Sequence, residues 1–231
     1  TETQEKQRID FAGAVCLTFT LVPLLLAFSW AGSVYAWASF PIIGLFMTSA
    51  VGLILFIVVE QRASAPILPL DLFRNSVFTI SNVSGFFMGV GMFGTIMYMP
   101  VFIQGVMGVS ATQTGFIMMV MTLSNVTGSA ICGQLMTLTG KYKRFALFGL
   151  FMMASGLAAA SLLHAQAATW LVVLDMMLFG FGLGVCFPIF TLTVQNAIPH
   201  RHLGVATSSA QLFRQMGGTI GVAVLGTVMN T

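Results

Sequence analysis

Residues 75–140 form a run of 66 positions without a formal charge, and residues 11–59 form another of 49. No water-facing surface can be built from such segments. Inside a bilayer every backbone N–H and C=O must be bonded within the chain, so runs of this kind fold as helices. Composition agrees, with 57% hydrophobic and 6% charged residues, where soluble domains carry roughly a quarter charged. A soluble enzyme, a nucleic-acid binder and a disordered chain are excluded. The fold class is an all-α polytopic membrane helix bundle, with membrane lipid as its first partner and no nucleic acid.

About 20 apolar residues carry a helix across a core of roughly 30 Å. The 49-residue run breaks at Trp30–Trp37, a turn flanked by interfacial aromatics, and the 66-residue run breaks at residues 104–110. Seven spans are predicted, at residues 11–29, 39–59, 77–103, 111–138, 144–163, 169–198 and 205–229. Lys6 and Arg8 precede the first span, and Arg62 and Arg74 lie between the second and third. Lys141, Lys143 and Arg144 lie between the fourth and fifth, and Arg201 between the sixth and seventh. Eight of the nine basic residues therefore fall on one side and none in the opposite loops. The positive-inside rule makes that side, with the N-terminus, cytoplasmic. An odd number of crossings leaves Thr231 outside, and Thr1 in place of Met marks a chain that is processed, truncated or part of something longer.

Small-xxx-small spacing recurs at Gly85/Gly89, Gly180/Gly184 and Gly217/Gly221, where helix backbones can approach closely in lipid. The stretch 65–75 is the one obvious linker. Its Pro66 and Pro69 oppose helix, while Leu70, Leu72 and Phe73 are suited to lying along the membrane surface. It separates a two-helix unit, residues 1–64, from a five-helix unit, residues 65–231.

Few residues are equipped for chemistry. Asp175 lies about six residues inside the outer end of the sixth span, roughly 9 Å deep. An acid there serves proton or cation handling, or else it is a hydrated interfacial carboxylate; the sequence leaves both open. Arg214 lies on the order of 15 Å from the inner end of the seventh span. Thr207, Gln211, Gly218 and Gly221 share its face at helical spacing, which favours a cavity over a snorkelling arginine. Asn125 belongs to a polar stripe with Thr122, Ser129 and Cys132 that suits bonding between helices. Phe93, with Met92, Met97, Met99, Met118 and Met119, would make an adaptable apolar surface. Cys16, Cys132 and Cys186 form no metal-binding spacing, and His164, His200 and His202 are predicted in loops. No metal or cofactor is expected.

Several ordered motifs together resemble a known family. Gly204 to Val228, with Arg214, Gly217, Gly218, Gly221 and Gly226, resembles the penultimate span of fourteen-helix drug:proton antiporters of the major facilitator superfamily. Gly180-Phe181-Gly182-Leu183-Gly184 followed by Phe187-Pro188 and Ile198-Pro199 is similar to the span before it. Residues 66–75 resemble the lead-in to the second six-helix half, and Arg8-Ile9-Asp10 with Gly13 resembles the entry to the two extra helices between the halves.

The resemblance implies a major-facilitator-like fold: two linker helices, then five of the six C-terminal-half helices. It implies no enzyme. The implied function is the C-terminal part of a proton-coupled multidrug exporter in the cytoplasmic membrane. Such an exporter moves small lipophilic, cationic substrates against protons, and its partner is the N-terminal half. The loop from Gly133 to Arg144 is similar to the superfamily's cytoplasmic gating motif, but Thr137 stands where an acid is usual. Alternatives are a non-transporting fragment or assembly partner, and a seven-helix receptor or retinal protein. The last is disfavoured because Lys6, Lys141 and Lys143 all lie outside the spans.

Overall fold

A computed structural model describes residues 10–63, 66–140, 142–199 and 202–229. Lys6, Arg8, Lys141 and Arg201, used above to orient the chain, lie outside them, as do Ala65, Thr231 and His200, which was predicted in a loop. The described residues form seven helices long and apolar enough to cross a membrane. These are α1 (Phe11–Trp30), α2 (Phe40–Glu60), α3 (Ser76–Val101), α4 (Ala111–Thr139), α5 (Tyr142–Ala160), α6 (Thr169–Asn196) and α7 (Leu203–Met229).

The ends follow local chemistry. Asp10 caps α1 by accepting from Gly13 N at 2.8 Å, and Asn75 caps α3 by accepting from Val77 N at 2.9 Å. Each satisfies an N–H that the first turn leaves free. Gly140 ends α4 with φ 64°, a left-handed conformation that glycine adopts without Cβ strain. The expected break at residue 104 is displaced: α3 runs on through a π turn, Phe102–Val106, before left-handed Gly108. In that turn Met107 N reaches back to Phe102 O at 3.2 Å. At the end of α5, Leu162 N and Leu163 N bond the carbonyls three residues back, so the helix closes by tightening before residue 163. At the end of α6, Ala197 N is shared between Thr193 O and Val194 O. Pro199, which cannot donate, prevents continuation.

Because α5 returns the chain, α4 and α6 run parallel, and the same holds for α3 and α7 across the intervening helices. Each of these pairs is in tight contact, while α5 packs antiparallel on α6. The hairpin α1–α2 packs mainly on itself and leans on α7 through α1. In α6, 56% of the membrane-length window is buried, against 17–22% in the other helices, so α6 is the centre of the bundle. The Met-rich interior around it includes Met88, Met121, Met153, Met176, Phe179 and Leu183.

Glycine sets the distances. A Cβ on Gly180 or Gly184 would overlap the carbonyl oxygens of Met121 or Asn125 in α4. One on Gly217 or Gly89 would overlap those of Phe86 or Arg214 across the α3–α7 contact. Gly221 lies against Val90, while Gly85 has only Ala210 O, at 3.8 Å. The small-xxx-small motifs of α3 and α7 thus face each other.

One expectation fails at the lead-in. A short 3-10 turn, Leu70–Arg74, starts directly after Pro69. Leu72 and Phe73, two of the three residues suited to the membrane surface, turn into the bundle together with Leu68. They pack against Phe78, Val194, Ile198 and Ala206 beneath the bundle, where they cover apolar area left open at the ends of three helices.

Candidate translocation path

Arg214 is the deepest cation of the described residues. Its position in α7 is fixed from two sides: its own backbone carbonyl lies against Gly89 of α3, and its guanidinium sits 4.4 Å from the centre of the Phe187 ring of α6. A guanidinium over an aromatic face is attracted by the ring quadrupole without losing its in-plane N–H donors. The ion pair found among the described residues is elsewhere, between exposed Arg74 and Asp71 at 3.6 Å. Asp175 and Arg214 therefore do not pair.

The polar face anticipated on α7 divides between neighbours. Thr207 accepts from Gln195 Nε2 of α6 at 3.2 Å, and Arg214 turns to α6. Gly218 and Gly221 turn to α3, where the Phe93 ring lies over Gly218. Gln211, at the edge of the stripe, is exposed. A single helix face meets two partners here because α7 lies in the groove between α3 and α6.

Asp175 lies on the inward stripe of α6, among Val172, Met176 and Phe179. It is 5% exposed, and neither carboxylate oxygen has a hydrogen-bond partner. The hydrated-interface reading does not describe this side chain. The α4–α6 register set by Gly180 and Gly184 puts Asp175 level with Phe116 and Ile117. Asn125 is half-buried lower on α4, opposite Gly184. Phe93 and Arg214 are thus brought to one α3–α7 contact, whereas Asp175 stands apart, several turns from Arg214. Towards the end of the bundle that carries the 3-10 turn, a cavity of about 530 Å³ opens between α3, α4 and α6, bordered by Val77, Met136, Thr137, Thr193 and Asn196.

Two roles were not evident from the sequence. Phe187 gave no sign of receiving Arg214, because the contact joins two helices and has no spacing signature. Glu60, placed just outside the second span, ends α2 and is 4% exposed. One of its oxygens accepts from Leu68 N. Its other oxygen and Asp10 Oδ2 are buried without partners, and both border the space above Gly13, at 3.0 and 2.5 Å from a Cβ built there.

Residues 9–222 match the profile of the Major Facilitator Superfamily, and the chain belongs to that family. The receptor and retinal-protein readings fall with that membership. The chain is 43% identical to the multidrug transporter protein MdtP of Bacillus subtilis (strain 168), over 96% of its own length and 41% of MdtP. It is 36% identical to a tetracycline resistance determinant of Streptomyces rimosus, over 96% of this chain and 64% of that protein. For multidrug resistance protein 3 of Bacillus subtilis (strain 168) the identity is 35%, over 96% of this chain and 43% of the relative. The chain spans less than two thirds of the length of each of these curated relatives.

Proposed function

We propose that the chain is the C-terminal part of a proton-coupled exporter of lipophilic, cationic compounds in the cytoplasmic membrane. Residues 1–64 are its linker hairpin and residues 65–231 its half bundle, with the N-terminus and the basic loops cytoplasmic. No enzymatic step belongs to this reading. The N-terminal half of the transporter is the partner, and the two halves rock about a site between them.

The observation that carries the reading is Asp175. A carboxyl group enclosed in a span without a donor is costly as an anion and is relieved by taking up a proton or a cationic partner. Arg214, held on Phe187, supplies a fixed positive charge on a different helix. The two sites stay separate, so protonation at Asp175 need not compete with an ion pair. Phe93, Asn125 and Gln211 border the path as apolar and polar contacts for substrate. The multidrug names of two relatives support a poorly selective substrate class.

The test uses cells expressing the complete transporter. Asp175→Asn should slow efflux of cationic dyes such as ethidium while leaving membrane expression level unchanged. Unaltered efflux of every cationic dye tried would contradict the role of Asp175.

A further inference from the structure

The cleft between α4 and α5 is a second feature with its own chemistry. Both helices pack tightly on α6 but have no comparable contact with each other. They leave a groove of about 340 Å³, walled by Ile131 and Leu135 of α4 and by Phe145 and Phe148 of α5, with Phe181 of α6 as its floor. Arg144 closes one end. Lys143 beside it is exposed.

Among the described residues neither cation has an acidic partner. Between Asp71 and Asp175 the sequence contains no carboxylate at all, and neither Lys143 nor Arg144 joins the Arg74–Asp71 ion pair. Thr137, near the end of α4, turns its hydroxyl back to Gln134 O at 2.7 Å. These cations also occupy the first turn of α5, which holds no acid. Free N–H groups give that end of a helix a partial positive charge, which disfavours cations and favours an anion. Basic side chains and a helix N-terminus therefore add at one point, immediately beside an apolar groove.

We propose that this cleft binds an anionic phospholipid of the leaflet that borders the basic loops. Lys143 and Arg144 hold the phosphate, and one acyl chain lies along Phe145 and Phe148 over Phe181. A soluble anion would satisfy the charges but not the groove, and a zwitterionic lipid would fill the groove but leave the charges partly unmet. The site needs the helices to cross the bilayer. It does not depend on proton coupling or on a particular substrate.

The test reads a tryptophan placed in the groove. Phe148→Trp protein is reconstituted in phosphatidylcholine vesicles, and its fluorescence less that of the parent isolates the new indole. Lipids brominated on the acyl chain then replace part of the phosphatidylcholine, either as phosphatidylglycerol or as phosphatidylcholine. Both leaflets carry the same lipid, so the outcome is independent of insertion direction. Brominated phosphatidylglycerol should quench with a preference of about fivefold or more over brominated phosphatidylcholine. Lys143→Gln with Arg144→Gln should abolish that preference, whereas Arg62→Gln should retain it, and excess inorganic phosphate should not displace the lipid. Equal quenching by the two lipids overturns the proposal without recourse to the charge variants. So does a preference that survives Lys143→Gln with Arg144→Gln, or one that inorganic phosphate removes.

Discussion

A methyl group on Gly217 would overlap the Phe86 carbonyl oxygen, whereas one on Gly133 would meet nothing within 4 Å. The neighbour of Gly217 is backbone, which cannot rotate aside, so any side chain there pushes α3 and α7 apart. Gly217→Leu is expected to cost about 1–3 kcal/mol or more by overpacking, and Gly133→Leu close to nothing. Thermal unfolding in detergent followed by circular dichroism compares them; equal melting temperatures would contradict the packing. The glycine spacing was legible in the sequence because close helix approach requires it. Which helix each glycine meets was not. Gly85 carries the same motif as Gly89 yet makes only ordinary contact, since position along a crossing depends on the angle between helices. The Arg214–Phe187 contact was hidden for the same reason: it depends on how α6 and α7 are rotated.

Among the elements, the hairpin α1–α2 is tied to the rest at both ends. Trp37 Nε1 donates to Thr227 Oγ1 of α7 at 3.0 Å at one end, and Glu60 accepts from Leu68 N at the other. Glu60→Ala leaves that amide without its acceptor and should cost about 1–3 kcal/mol. Glu60→Gln keeps an acceptor oxygen and removes one of two like charges facing each other beside Gly13, so it should be at least as stable as the parent. A melting temperature for Glu60→Gln as low as that of Glu60→Ala would show that the negative charge itself is required. The seven helices were readable within a few residues, because apolar length is a local property. The burial of Asp175 was not readable. Helix α6 is apolar on nearly every side, so its sequence does not say which face turns inward, and depth along the helix left two environments open. Only the packed bundle shows the carboxyl group buried.

At the scale of the whole molecule, transport by rocking halves needs two halves, and the chain spans 41% of MdtP. Reconstituted alone, it should show no proton-driven uptake of ethidium into vesicles above protein-free controls; robust uptake would refute its reading as part of an exporter. The most direct test concerns the orientation on which the path and the linker are both placed. Cys16, Cys132 and Cys186 are replaced by alanine, and single cysteines are introduced at Ser110 and Gly140, which lie at opposite ends of α4. In intact cells an impermeant maleimide should label Ser110→Cys, whereas Gly140→Cys should react only after the membrane is opened. Labelling of Gly140→Cys from outside, with Ser110→Cys protected, would contradict the account.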